Sequence, residues 1–247
     1  MVWNEKVDFA RRFCRLFLLG HACWSYLLSK ITAHRLHVEL PVWLAFLGGI
    51  LPDFDIFVHP LIVHHTYTHS LLVLVPVGAF LTFKYRRLGL AFTVGIFSHL
   101  LTDWLVGTIP ILYPLSLMII GLDLGIPGLA DTALETGALT AAVVLGFWNK
   151  DYLQFLKPNL KSLMLVVPML SLVLLSVLYA GDANISLAAF AFSRRALTLI
   201  TIGHAVLVGI LALGVFQGIR AYASEKAKVE TIKPTRASAE TPHKEQR

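Results

Sequence analysis

Ala196 to Ile219 is a run of 24 residues without an Asp, Glu, Lys or Arg, closed by Arg194 and Arg195 on one side and Arg220 on the other. About 20 apolar residues in a helix cross the roughly 30 Å hydrocarbon core of a bilayer, so this run alone directs the chain to a membrane. Ser162 to Gly181 is a second such run. Ile56 to Phe83 lacks the same four residue types but holds His59, Pro60, His64, His65 and His69, which predicts a break followed by a helix from about Ser70. Leu88 to Gly107 is a fourth span whose only formal charge is Asp103. Leu16 to Leu28, Val42 to His59, Ile109 to Leu122 and Thr136 to Trp148 are weaker segments, several short enough to be re-entrant or broken. The expectation is an all-α, polytopic transmembrane helical bundle of six to eight apolar segments. It forms one membrane-embedded domain over residues 1–220, followed by a basic, disordered cytoplasmic tail over 221–247.

Composition agrees. Of 247 residues 56% are apolar and 15% charged, against about 25% charged in a soluble domain. That excludes disorder and a collagen repeat, and two cysteines, Cys14 and Cys23, cannot frame a disulfide scaffold. Seven of the 21 Lys and Arg lie between Arg220 and Arg247 and four between Lys6 and Arg15. Basic ends around an apolar body suit membrane lipid headgroups, whereas a nucleic-acid groove needs basic residues interleaved with aromatics on one surface, a pattern that does not recur here. His21 interrupts the first apolar run and no A-x-A site follows, so residues 1–28 read as a retained helix rather than a signal peptide. Alternating helices put the basic tail, the 150–161 loop, the Lys84-Tyr85-Arg86-Arg87 turn and the 30–37 stretch on the cytoplasmic side, with Arg194, Arg195 and the N-terminal arginines as exceptions.

Ionisable residues inside these apolar segments carry the chemistry. A carboxylate at the centre of a membrane helix costs on the order of 2.5 to 3.5 kcal/mol, so Asp53, Asp55 and Asp103 need compensation from cations or histidines. The first 103 residues hold eight of the ten histidines. His99 and Asp103, four apart, share one helix face. Asp53 and Asp55 follow Pro52 in a helix start or irregular turn, where paired carboxylates suit metal. His65 and His69 would share a face if helical, Thr68 or Ser70 would cap the next helix, and His21 follows Gly20 in the first apolar segment. Such ligands suit Zn, Mn or Fe better than Ca. Each element alone has a plainer reading. His99 with Asp103 is also an ordinary intrahelical pair, Asp53 and Asp55 a surface loop, and His64 and His65 residues in headgroup water. His34, His37 and His59 fit headgroup water better still, and His204 reads as a packing residue satisfied by a backbone carbonyl.

Taken together, Gly20-His21, Leu51-Pro52-Asp53-Phe54-Asp55, His64-His65-Thr66-Tyr67-Thr68-His69-Ser70 and Ser98-His99-Leu100-Leu101-Thr102-Asp103, followed by Ile111-Leu112-Tyr113-Pro114, form an ordered set. It resembles that of the membrane-bound predicted metal-dependent hydrolases, which include the LexA-binding, inner-membrane-associated predicted hydrolase of bacteria. The resemblance covers about residues 15–120 and nothing beyond about residue 130. It departs at His64-His65-Thr66, where the family has His-Arg-Gly, so an arginine suited to an anionic substrate group is absent or its role falls to His65. The resemblance implies a site of His21, Asp53, Asp55, His64, His69, His99 and Asp103, and a prokaryotic plasma (inner) membrane location.

The resulting expectation is a hydrolase with one or two divalent metals, Zn first and Mn or Fe next, held by Asp53, His69, His99 and Asp103. Activated water would attack an ester, phosphoester or amide of a lipid-soluble or membrane-adjacent substrate. Asp55 would act as general base, and His64 or His21 as orienter or proton donor. The rival classes are a proton- or ion-coupled transporter using the same residues, and a regulatory or structural membrane protein with a vestigial metal site. A transporter of this kind predicts two similar halves, and no matching motif set occurs between residues 130 and 220.

Overall fold

The computed structural model describes residues 18–58, 61–62, 64–122, 124, 129–182 and 194–237. These residues form an all-α structure: α1 (Leu18–Arg35), α2 (Val42–Leu47), a 3-10 helix (Leu51–Val58), a 3-10 turn (Tyr67–His69), α3 (Leu71–Val106), α4 (Leu129–Trp148), α5 (Leu153–Leu156), a 3-10 helix (Leu160–Leu165), α6 (Val166–Asp182) and α7 (Arg194–Ala237). The described residues contain no strand, only a single antiparallel bridge between Ile109 and Ile120. Thr198–Glu230 and, taken end to end, Leu71–Val106 are long and apolar enough to cross a membrane, and Thr132–Trp148 and Leu160–Ser176 are shorter apolar helices.

α3 is not one rod. Arg86 has φ 55° and ψ −129°, outside the helical region, and Thr93 Oγ1 donates to Gly78 O at 3.3 Å. Fifteen residues along a straight helix would separate those groups by ~22 Å, so the chain folds back at Arg86 into a hairpin of arms 71–85 and 87–106. The turn falls inside Lys84-Tyr85-Arg86-Arg87, where the basic cluster interrupts the apolar pattern. Gly78 makes the close approach possible, because a Cβ there would lie 2.5 Å from Thr93 Cγ2. Ser70 starts the first arm as its N-cap, its Oγ accepting from Leu72 N at 3.2 Å.

α1 sits at the centre. Leu19, Ala22 and Tyr26 are buried against Ala138 and Ala142 of α4, Leu172 of α6 and Leu207 and Leu211 of α7. Near its far end, Asp151 accepts from Tyr26 Oη at 2.7 Å and pairs with Lys30 Nζ at 3.0 Å, tying α1 to the turn after α4. Large apolar side chains such as Phe80, Phe83, Val144, Phe147, Ile202 and Phe216 remain exposed, the surface a bilayer would cover.

Several expectations are corrected. Val42 to His59 is not a spanning segment: α2 ends after six residues and a 3-10 helix follows, with His59 outside the described residues. Ile109 to Leu122 is an irregular loop, because Pro110 and Pro114 each remove a helical donor. The tail is helical as far as Ala237 rather than disordered from residue 221, since Glu, Lys and Ala are strong helix formers and Lys226 pairs with Glu230 at 3.9 Å. Residues 238–247, Cys14 and the N-terminal arginines lie outside the described residues. His204 meets the Ser176 hydroxyl at 3.0 Å, not the backbone carbonyl expected for it.

Candidate metal centre

The site forms where α1, the 51–58 helix, the 64–70 loop and the second arm of α3 converge. His99 and Asp103 are one turn apart on that arm, with His99 Nε2 3.1 Å from Asp103 Oδ2. The opposite nitrogen, Nδ1, donates to Gly49 O at 2.7 Å. Gly49 can reach it because its backbone presses on α1, where a Cβ would fall 2.0 Å from His21 O.

In a 3-10 helix, residues two apart lie about 120° apart around the axis, so Asp53 and Asp55 serve different partners. Asp53 Oδ1 is 3.4 Å from both His69 Nε2 and His99 Nε2. Asp55 Oδ1 accepts from His64 Nδ1 at 2.6 Å, and its Oδ2 accepts from Thr68 Oγ1 at 2.5 Å. The Thr68 proton is thereby used, so His69 Nδ1–H donates to Thr68 Oγ1 at 3.0 Å. His69 Nε2 then faces inward, 2.8 Å from His99 Nε2 and 3.5 Å from Asp103 Oδ2.

His21 repeats this logic. Thr102 Oγ1 donates to the backbone carbonyls of Ser98 and His99 at 3.0 and 2.9 Å, so it accepts from His21 Nδ1 at 2.9 Å. His21 Nε2 is left 3.3 Å from Asp103 Oδ1, with the ring stacked on His99 at 3.8 Å between centroids.

Three imidazoles thus send their N–H outward and turn lone pairs inward, onto two carboxylates. Asp53 Oδ1 and both Asp103 oxygens are buried and accept no hydrogen bond. A cluster in which three imidazole lone pairs converge on two carboxylates attracts a cation. For metal–ligand bonds of about 2.0–2.1 Å, the edges of a tetrahedron are ~3.3 Å. His69 Nε2, His99 Nε2, Asp53 Oδ1 and Asp103 Oδ2 stand 2.8 to 3.5 Å apart along five of six edges. The groups able to hold an ion are His21, His99 and Asp103; Asp53, His69 and His99; and His65, His69 and Asp103.

The structure therefore brings together the seven residues implied by the resemblance, five in one cluster and Asp55 with His64 as a pair beside it. His65 belongs with them. It is 4% exposed, not in headgroup water, and its Nδ1 is 3.9 Å from Asp103 Oδ2, on a backbone of φ 61°. Burial first, then the neighbouring imidazoles of His64 and His69, push its pKa well below the usual histidine value and keep it neutral. Among the outward partners, sequence reasoning missed Gly49 and Thr102 and offered Thr68 only as a helix cap, a role that Ser70 takes. Their only signal is adjacency, Thr68 preceding His69 and Thr102 preceding Asp103. His34 and His37 are exposed, as expected.

Neither a curated protein nor a solved structure matches the chain. A family model described as YdjM inner membrane protein matches residues 17–185. The likeness thus runs well past residue 130, where the motif resemblance stops, and takes in α4 and α6. Over more than half its length, and with its membrane-length apolar helices, the chain belongs to the YdjM inner membrane protein family, a family of inner-membrane predicted hydrolases.

Proposed function

We propose that this protein is an integral membrane metal-dependent hydrolase, with Asp53, His69, His99 and Asp103 holding a divalent ion, Zn in preference to Mn or Fe. One observation carries the reading: outward Nδ1–H bonds to Gly49 O, Thr68 Oγ1 and Thr102 Oγ1 turn the Nε2 lone pairs of His99, His69 and His21 toward the Asp53 and Asp103 carboxylates. Two imidazoles with two carboxylates are a borderline donor set that suits Zn. When bound, the ion supplies Lewis acidity, making water nucleophilic near neutral pH and neutralising charge that develops on the substrate.

The protein's own groups do the rest. Asp55 takes the Nδ1–H of His64 and fixes its tautomer, so His64 Nε2 is the proton acceptor. Its side chain is 14% exposed where Asp53 and Asp103 are almost fully buried, so water and substrate would reach it first. On this reading His64, rather than the Asp55 expected from the sequence, is the general base, and Asp55 orients it. His21 presents its Nε2 lone pair 3.3 Å from Asp103 Oδ1, placed to take up a proton released in the reaction and pass it on to the leaving group. The bond attacked is an ester, phosphoester or amide of a membrane-adjacent molecule. α1, the two arms of α3, α4, α6 and α7 supply six apolar rods for the membrane bundle, consistent with the family's location.

Metal content and turnover of a fluorogenic ester and phosphodiester panel by the detergent-purified, metal-loaded protein test this. Near-stoichiometric metal with turnover is expected. Full metal without turnover on any substrate would favour a vestigial site, and no metal after reconstitution, with ion flux in liposomes, would move the same residues to a transport path.

A further inference from the structure

The segment after Asp103 has a composition the chemistry above does not use. Residues 107–122 contain no Asp, Glu, Lys, Arg or His. They form an irregular loop, closed at its base by paired bonds between Ile109 and Ile120 and by Leu122 N donating to Trp104 O at 2.8 Å. The loop is fastened to the site itself: Ser70, next to His69, donates from Oγ to Tyr113 O at 2.6 Å, and Leu71 N donates to Ile111 O at 2.9 Å. Yet its tip turns outward. Leu115 is 82% exposed, Leu117 63% and Met118 60%, and Leu61 of the His64-bearing loop is 89% exposed. Phe57, beside Asp55 on the 51–58 helix, is also exposed.

Large exposed apolar side chains on otherwise tied-down loops mark an interaction surface. Its occupant follows from position. The 107–122 loop leaves the second arm of the α3 hairpin after Val106 and is bonded to the start of the first arm at Ser70 and Leu71, so it sits at the end of an apolar hairpin in a protein of an inner membrane family. Irregular backbone cannot sit exposed deep in hydrocarbon, but its side chains can reach the acyl boundary from the interface. We propose that the 107–122 loop, with Leu61 and Phe57, dips into the acyl region of the host membrane and admits an amphiphile bearing a long acyl chain. Its polar head would then lie at His64. The substrate class rests on the hydrolase reading; the insertion does not.

The test places an NBD fluorophore at Leu115→Cys and at Leu117→Cys in a Cys14→Ser, Cys23→Ala background. The protein is reconstituted in phosphatidylethanolamine and phosphatidylglycerol vesicles with brominated acyl chains. Quenching by bromolipid and protection from aqueous iodide are expected. Quenching by iodide would overturn the insertion, as would shielding from both quenchers, which would mean a protein partner or a second copy covers the loop. In the second arm, Leu115→Asp with Leu117→Asp keeps metal content and short-chain ester turnover but lowers turnover of long-chain esters in vesicles by roughly tenfold. Equal losses on short and long chains would overturn the acyl-chain assignment. Bromolipid quenching with no turnover of any ester by the metal-loaded wild type would sink the hydrolase reading and the substrate class with it, leaving the insertion standing.

Discussion

His69 Nε2 and His99 Nε2 lie 2.8 Å apart, 30 residues apart in sequence, with Asp53 Oδ1 and Asp103 Oδ2 within 3.5 Å of both. Each ring has already donated its Nδ1–H elsewhere, to Thr68 and to Gly49. Two lone pairs at that distance repel unless a proton or a metal ion stands between them, and two carboxylates beside them favour the ion. Replacing His99 and Asp103 together by alanine is therefore expected to abolish metal binding. Elemental analysis of wild type beside the double variant reads this directly, and full occupancy in the variant would remove both residues from the ligand set.

The Asp55 and His64 pair should behave as one unit. Asp55→Asn deprives His64 of the acceptor that fixes its tautomer, so turnover should fall roughly 10²- to 10⁴-fold while metal content stays at the wild-type level. Because both changes remove the same base, the double variant with His64→Ala should be no slower than His64→Ala alone. Additive losses in that cycle would mean that the two residues act separately.

Thr102 touches no ligand atom of the four but holds His21, which packs on His99 and faces Asp103. Thr102→Val keeps the volume and removes the acceptor. Metal affinity, followed by chelator competition, is expected to drop about 10- to 100-fold, the range for groups that orient ligands. Thr102→Ser should restore most of it. An unchanged affinity in the valine variant would reduce His21 to a packing role.

At the hairpin turn, Arg86 holds φ 55° with a side chain that disfavours it. Arg86→Gly should relieve strain of about 1 kcal/mol and raise the midpoint of thermal unfolding in detergent by a few degrees, with metal content unchanged. A lowered midpoint would show that the arginine's other contacts outweigh the backbone strain.

Much of this molecule was legible in its sequence, for a definite reason. Apolar runs and their interruptions are local properties, so a membrane helical protein, the break before Ser70 and the turn at residues 84–87 could be read from spacing. His99 with Asp103 was legible too, since a four-residue interval fixes two side chains on one face. Order along the chain placed His21, Asp53 and His69 in one set but not their roles. What the tertiary structure decided were relations across distance. Gly49 reaches His99 because α1 and the chain after α2 lie in contact, and Thr102 claims the His21 proton across 81 residues. The same holds for Asp55, whose two oxygens turn to His64 and Thr68 only because a 3-10 helix rotates it away from Asp53. Periodicity also mistook the 109–122 segment for a membrane span, since apolar content does not distinguish a buried helix from a proline-broken loop. Sequence determines which groups a chain can bring to a site; which nitrogen of each histidine faces inward depends on partners that only the packed fold supplies.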